Sequence, residues 1–224
     1  MQLADFDYVL PPELVAVEPA ARRDAARLLT LRRTSGALGE TVMADLPALL
    51  QPGDLLVVND TRVIPARLFG SKESGGRVEL FLVRRLPGNG EEWTCLVRAA
   101  KPCRPGTRLF LPEGMVATVL AMQEEATWRV AFEPRDDFDG WLDRYGSMPL
   151  PPYLKRPATA ADRERYQTVF ARERGAVAAP TAALHFTPEL LAAIAARGVP
   201  VATVTLHVGL GTFLPVRVDN ILEH

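Results

Sequence analysis

The stretch Arg67-Leu-Phe-Gly-Ser-Lys-Glu-Ser-Gly-Gly-Arg-Val-Glu-Leu-Phe-Leu82 decides how this chain is divided. Two alternating runs, 67–71 and 77–82, flank Glu73-Ser-Gly-Gly76, and alternation broken by a glycine pair is a β-hairpin signal. The same texture continues outward to residue 132. Further β segments read at 93–98, 108–111, 115–122 and 127–132, with glycine, proline or acidic breaks between them. No helical periodicity interrupts them, so residues 66–132 are predicted to form a small all-β barrel. The flanks read differently. A strand is expected at 27–31, and short helices at 41–50, 138–145, 160–172 and 188–197. Residues 55–58 and 201–208 are apolar or β-branched runs, expected as buried strands that pair with each other across the insertion. The predicted fold class is therefore mixed α/β. A discontinuous α/β domain of residues 1–65 and 133–224 carries an inserted β-barrel domain, 66–132.

The chain's 224 residues, 48% apolar and 24% charged, suffice for a sizeable core. A net charge of −1 argues against a globally basic nucleic-acid binder. Locally the balance differs. Arg98, Lys101, Arg104 and Arg108 share a stretch without an acid, and Lys155, Arg156, Arg163, Arg165, Arg172 and Arg174 outnumber nearby acids. Such arginines and lysines form either a solvated face or phosphate contacts. Two cysteines, Cys95 and Cys103, make neither a disulfide framework nor a zinc site, so no metal is expected and the compartment reads as reducing. With no leader pattern and no run long enough to span a bilayer, the chain reads as cytoplasmic, without membrane partners.

Candidate chemistry gathers in three places. Residues 175–187 (Gly-Ala-Val-Ala-Ala-Pro-Thr-Ala-Ala-Leu-His-Phe-Thr) are small and uncharged until His185. Thr187, Pro188 and Glu189 then mark a helix start, which puts His185 on a loop entering a helix N-terminus. His207 ends the run 201–208 and opens into Gly209-Leu-Gly211-Thr212-Phe213. That turn is neither a dinucleotide fingerprint nor a P-loop, and His207 reads equally as a satisfied core residue or a functional one. Asn59-Asp60-Thr61-Arg62 closes the run 55–58, where α/β proteins place sites and where Asx-turns also form.

Together these segments resemble the tRNA ribosyltransferase-isomerases of queuosine biosynthesis. The resemblance also rests on Asn-Asp-Thr-Arg-Val-Ile-Pro-Ala-Arg-Leu-Phe-Gly (59–70), Met-Pro-Leu-Pro-Pro-Tyr-Leu-Lys-Arg (148–156) and Asp-x-x-x-Tyr-Gln-Thr-Val-Phe-Ala (162–171). It implies a larger, barrel-like α/β domain, incomplete here because the family's chains continue further. It implies S-adenosylmethionine as substrate rather than a cofactor. Its ribosyl unit would pass to an aminomethyl-deazaguanine at the tRNA wobble position, leaving an epoxycyclopentanediol base with release of adenine and methionine. Such a reaction needs a base beside the sulfonium, an acid for departing adenine and a polar cradle for the ribose. His185, His207 and Asp60 are the candidate catalytic groups. Asn59, Arg62, Tyr153, Thr181, Phe186, Gly209, Gly211, Thr212 and Phe213 are candidates for substrate binding, with Tyr153, Phe186 and Phe213 as sulfonium faces. Arg98, Lys101, Arg104, Lys155 and Arg156 become candidate contacts to the tRNA anticodon region. A monomer is expected. A noncatalytic tRNA-binding fragment is the alternative, and an unrelated small-molecule enzyme with a histidine loop a third reading.

Overall fold

The computed structural model describes all residues except Asn89, Leu214, Pro215 and His224, together with the side chains of Glu125 and Phe213. In chain order, Arg27–Leu31 (β1) and Leu38–Val42 (β2) pair as an antiparallel hairpin, followed by a one-turn helix Leu46–Leu49 (α1). The strands Leu56–Asn59 (β3) and Thr61–Val63 (β4) come next. Six strands follow: Arg67–Lys72 (β5), Arg77–Arg85 (β6), Glu91–Ala99 (β7), Arg108–Phe110 (β8), Val116–Met122 (β9) and Trp128–Phe132 (β10). The helices Phe138–Tyr145 (α2) and Ala160–Arg165 (α3) lead to Glu173–Ala176 (β11). The helix Pro188–Ala196 (α4) and the strand Val201–Val204 (β12) follow.

The six strands close into an antiparallel barrel ordered β10-β7-β6-β5-β8-β9. Only 3-10 turns, Pro112–Gly114 and Glu124–Ala126, interrupt the strands among the described residues. Alternation does the work. Leu68, Leu80, Leu82, Cys95, Leu109, Ala117, Val119 and Val130 have no exposed surface, and along β6 buried residues alternate with more exposed ones. Closure between β5 and β8 rests on two residue pairs, Ser71↔Phe110 and Lys72↔Leu109. It needs Gly70, because a Cβ there would lie 2.4 Å from the Phe110 carbonyl oxygen. The barrel's core does not stop at its last strand: Ile64, Phe138, Trp141, Leu142 and Val177 belong to the same buried cluster.

Outside the barrel, one extended path changes partner at Asp60. Before it, β3 runs parallel to β12 with Val201 opposite Leu56; after it, β4 runs parallel to β11 with Glu173 opposite Thr61. The Asp60 amide donates to the Val204 carbonyl at 3.0 Å, and its own carbonyl accepts from Arg172 and Glu173 at 2.8 and 3.2 Å. The pairing of 55–58 with the 201–208 run is present, but its burial differs from expectation. Val58 is buried, whereas Leu55, Val57, Val201 and Val204 are exposed, because β3 and β12 form a sheet of two strands with one covered face. That face rests on α4 through Leu190 and Ile194. The α4 N-cap is Thr187, whose hydroxyl accepts from the Leu190 amide at 3.1 Å.

Two other expectations change. The helix expected at 41–50 gives its first two residues to β2 and is helical only as a 3-10 turn, Met43–Asp45, plus α1. The helix expected at 160–172 ends at Arg165. Two residues later the Gln167 side chain lies along β4, accepting from the Val63 amide at 3.0 Å and donating to the Val63 carbonyl at 2.7 Å. A side-chain amide thus takes the place of a strand neighbour.

Arginines fasten the N-terminal lead-in. Arg23 donates to the Leu184 and Glu164 carbonyls, Arg165 to those of Ala20 and Ala21, and Arg156 to that of Val17. Arg156 also forms a two-toothed pair with Asp162 at 2.7 and 2.9 Å. That guanidinium, with the Thr159 amide and hydroxyl, holds the Asp162 carboxyl far below the usual carboxylate range. A depressed folded pKa adds stability above the unfolded value and loses it as pH falls through the folded one. Asp162→Asn is therefore expected to cost roughly 2 kcal/mol at neutral pH. The gap to wild type should begin to close below pH about 4. Urea unfolding at neutral and acid pH checks this.

Candidate active site

The exits of the parallel strands are tied to one another by side chains. Asn59 accepts from the Leu206 amide at 3.1 Å and donates to its carbonyl at 2.8 Å, while also accepting from the Thr61 amide at 3.1 Å, an Asx-turn. Asp60, buried, accepts from the Thr205 hydroxyl at 2.7 Å. These bonds carry the chain past β12 and deliver His207, whose Nδ1 lies 2.7 Å from the Thr61 hydroxyl. The other side of the ring meets Gly175. A Cβ on Gly175 would stand 2.8 Å from both Cε1 and Nε2 of His207, and Gly175 has φ +151°. The imidazole is held between a hydroxyl and a bare backbone.

His207, Gly175, Gly209 and Leu210 form one wall of a cleft of about 880 Å³, facing the barrel. The opposite wall comes from the end of β6. A register shift between Leu82 and Arg84 turns Val83, Arg84 and Arg85 into the cleft. Arg85 is held by Glu91, and its guanidinium lies 5.7 Å from the ring centres of Trp93 and Phe138. Arg174 pairs with Asp143 at 2.9 and 3.1 Å. Arg84 has no ion-pair partner among the described residues, so it is the cation left for a ligand's anion. The cleft thus offers one imidazole, one available guanidinium, the Glu124 carboxylate and the Trp93 ring, while the Asp139 carboxylate is paired with Arg85 at 3.6 Å.

The expected site residues divide accordingly. His207 and Gly209 line this cleft; Asn59 and Asp60 stand behind it as supports. Gly211 and Thr212 are exposed in the following 3-10 turn, Leu210–Phe213, and the Phe213 side chain lies outside the described residues. His185 and Thr181 sit exposed at the two ends of the 3-10 turn Thr181–His185 and line no cleft described here. Phe186 is packed in the core, edge-on to Phe170 with centroids 5.4 Å apart, so it offers no face to a sulfonium. Tyr153 is 59% exposed in the turn Pro152–Leu154, and Arg62 is exposed on β4. Of the expected phosphate contacts, Arg156 is already committed to Asp162 and Val17 and is corrected to a structural latch. Arg98 and Lys155 line a second cavity of about 480 Å³, while Lys101 and Arg104 are exposed beside the barrel. Thr61 and Gly175 fall inside the candidate stretches 59–62 and 175–187 without a role of their own there, whereas Arg84 and Trp93 belong to no expected site. For Arg84 the available signal was the end of alternation at Val83-Arg84-Arg85.

Among the described residues there is no cluster of histidine, cysteine or acidic side chains arranged for a metal, and no helix long and apolar enough to cross a membrane.

A closed barrel set into a parallel-stranded scaffold, with an imidazole fixed at the strand exits beside a cleft, defines a mixed α/β protein with a candidate site between the two. The chain belongs to the family described as queuosine biosynthesis protein, whose model matches residues 3–224. It is 62% identical over 224 residues to an S-adenosylmethionine:tRNA ribosyltransferase-isomerase of Geobacter metallireducens, covering 100% of this chain and 65% of that one. A protein of the same name from Citrifermentans bemidjiense is also 62% identical, with the same coverage. Among solved structures, an S-adenosylmethionine tRNA ribosyltransferase from Thermotoga maritima is 35% identical, over 92% of this chain and 58% of that one, with a TM-score of 0.36. The chain spans 65% of the length of the curated relatives it matches.

Proposed function

We propose that this chain carries the reaction cleft of an S-adenosylmethionine:tRNA ribosyltransferase-isomerase. The observation that carries the reading is the His207 ring, fixed between Thr61 and Gly175 at the mouth of the cleft. The names of the relatives supply the substrates. In this reading, His207 takes the proton beside the sulfonium of S-adenosylmethionine and later returns one where adenine departs. Glu124 offsets the sulfonium charge, and Arg84 receives a carboxylate or phosphate. Asn59 and Asp60 contribute by holding the 205–207 segment in place. His185, on its exposed turn, remains a second imidazole for a substrate approaching from that face. The ribosyl unit goes to 7-aminomethyl-7-deazaguanine at the wobble position of tRNA, giving epoxyqueuosine, adenine and methionine. The chain works as a monomer in the cytoplasm, consistent with the buried free thiols of Cys95 and Cys103.

Adenine release from S-adenosylmethionine, followed by chromatography with tRNA bearing the aminomethyl base, tests this. Release that depends on the modified tRNA is expected. Binding of tRNA with no adenine release by this chain would favour the noncatalytic tRNA-binding reading, for which Arg98 and Lys155 are positioned apart from His207.

A further inference from the structure

The second cavity is not used by the chemistry above. It lies where the 147–158 segment crosses the outer face of β5, β6 and β7. Its floor is aromatic and aliphatic: Phe69, 51% exposed, with Phe81 and Leu96 on neighbouring strands. Its opposite side is built from Met148, Leu150 and prolines of the crossing segment. Four cations and one acid line it, but two cations are neutralised in place. Arg67 pairs with Glu79 at 2.8 Å and lies 5.7 Å over the Phe69 ring, and Arg156 pairs with Asp162. Arg98 and Lys155 have no ion-pair partner among the described residues. Two uncompensated positive charges therefore border an apolar, aromatic floor.

We propose that this cavity takes one unstacked nucleotide of an RNA strand, its base against Phe69 and its phosphate between Arg98 and Lys155. The proposal rests on the RNA reading above and adds a position to it. A volume of about 480 Å³ suits a single nucleotide, within the roughly 300–1,000 Å³ of small-ligand sites. Aromatic floors rimmed by cations are how proteins take single-stranded nucleic acid, since every base has a π-face and every phosphate a charge. An apolar peptide would leave Arg98 and Lys155 without counter-charges; a phosphodiester supplies one. Leu210, buried, lines both this cavity and the His207 cleft. The two cavities thus adjoin at Leu210, which puts a nucleotide seated here beside the cleft.

The test is equilibrium binding of a tRNA anticodon hairpin to the chain across a salt series, repeated with an abasic residue at each loop position in turn. Phe69→Ala is expected to weaken binding roughly ten-fold, within the range for one base–aromatic stack, and Phe69→Trp to retain it. Arg98→Ala and Lys155→Asn should each lower the slope of log affinity against log salt by about 0.7. Asparagine suits position 155 because Lys155 has φ +51°. One abasic position should weaken wild type yet cost nothing further in Phe69→Ala. If wild type binds the hairpin but Phe69→Ala binds equally, if the salt slopes are unchanged, or if every abasic loss adds to that of Phe69→Ala, the cavity is not the nucleotide site and the RNA reading stands. If wild type binds no RNA, that reading falls and this one with it.

Discussion

Gly175→Ala is expected to slow adenine release by about two powers of ten or more, close to the loss from removing the imidazole itself. The new methyl carbon would stand 2.8 Å from two atoms of the His207 ring, closer than nonbonded carbon tolerates. Backbone on one side and the Thr61 hydroxyl on the other leave the ring one way to yield, outward from its 2.7 Å contact. Displacement of a reacting group by about 1 Å costs on the order of a hundred-fold. His207→Ala, which deletes the group, should cost roughly two to four powers of ten. Gly198→Ala is the control. Gly198 also has positive φ, +76°, but nothing lies within 4 Å of the added carbon, so only backbone strain of roughly 1–2 kcal/mol is expected, with turnover unchanged. Only three histidines are present, so the His207 ring signals can be assigned in NMR spectra by single substitutions. They should move in Gly175→Ala and stay in Gly198→Ala. A Gly175→Ala variant whose His207 ring signals move while turnover stays at the wild-type level would remove His207 from the chemistry.

The sequence was informative where one periodicity decided the outcome. All six barrel strands could be read because alternating or β-rich runs are set apart by glycine, proline or acidic breaks, and α2 because it stops before Gly146. It misled where side chains replace backbone. Gln167 reads as one more helical residue, yet its amide lies on Val63 and serves as strand neighbour. Asn59 reads as a turn former and does make that turn, but it also pairs with Leu206 across a gap of 147 residues. The run 201–208 looks like a core strand because its residue types are apolar, although burial depends on what covers the sheet. Arginines were hardest to assign. Arg98 and Arg156 look alike in sequence, and only the position of Asp162 shows that one is committed and the other available. His185 stands out for being isolated in an uncharged loop, a property of composition that says nothing about which cleft the loop borders.

Trp141→Ala should be the most destabilising single change in the chain. Trp141 has no exposed surface, lies 5.5 Å from the Phe138 ring centre and 6.4 Å from that of Phe132, and donates from Nε1 to the Pro112 carbonyl at 3.2 Å. Truncating a buried tryptophan costs about 3–5 kcal/mol. A domain of this kind has roughly 5–15 kcal/mol in total, so a large share of the margin would be lost. The position matters as much as the size. Trp141 belongs to α2, after the last barrel strand, but its ring is part of the barrel's own core cluster with Phe138 and Leu142. Residues 66–132 by themselves would therefore leave that part of the core open to water, even with every strand paired. We infer that the folding unit is the barrel together with α2, residues 64–146, rather than the strands alone. Thermal unfolding of the two fragments decides it: 64–146 should melt cooperatively, and 66–132 should melt broadly at lower temperature. Equal, sharp transitions in both fragments, with Trp141→Ala neutral in the whole chain, would show that the six strands carry their own stability and that α2 is an accessory.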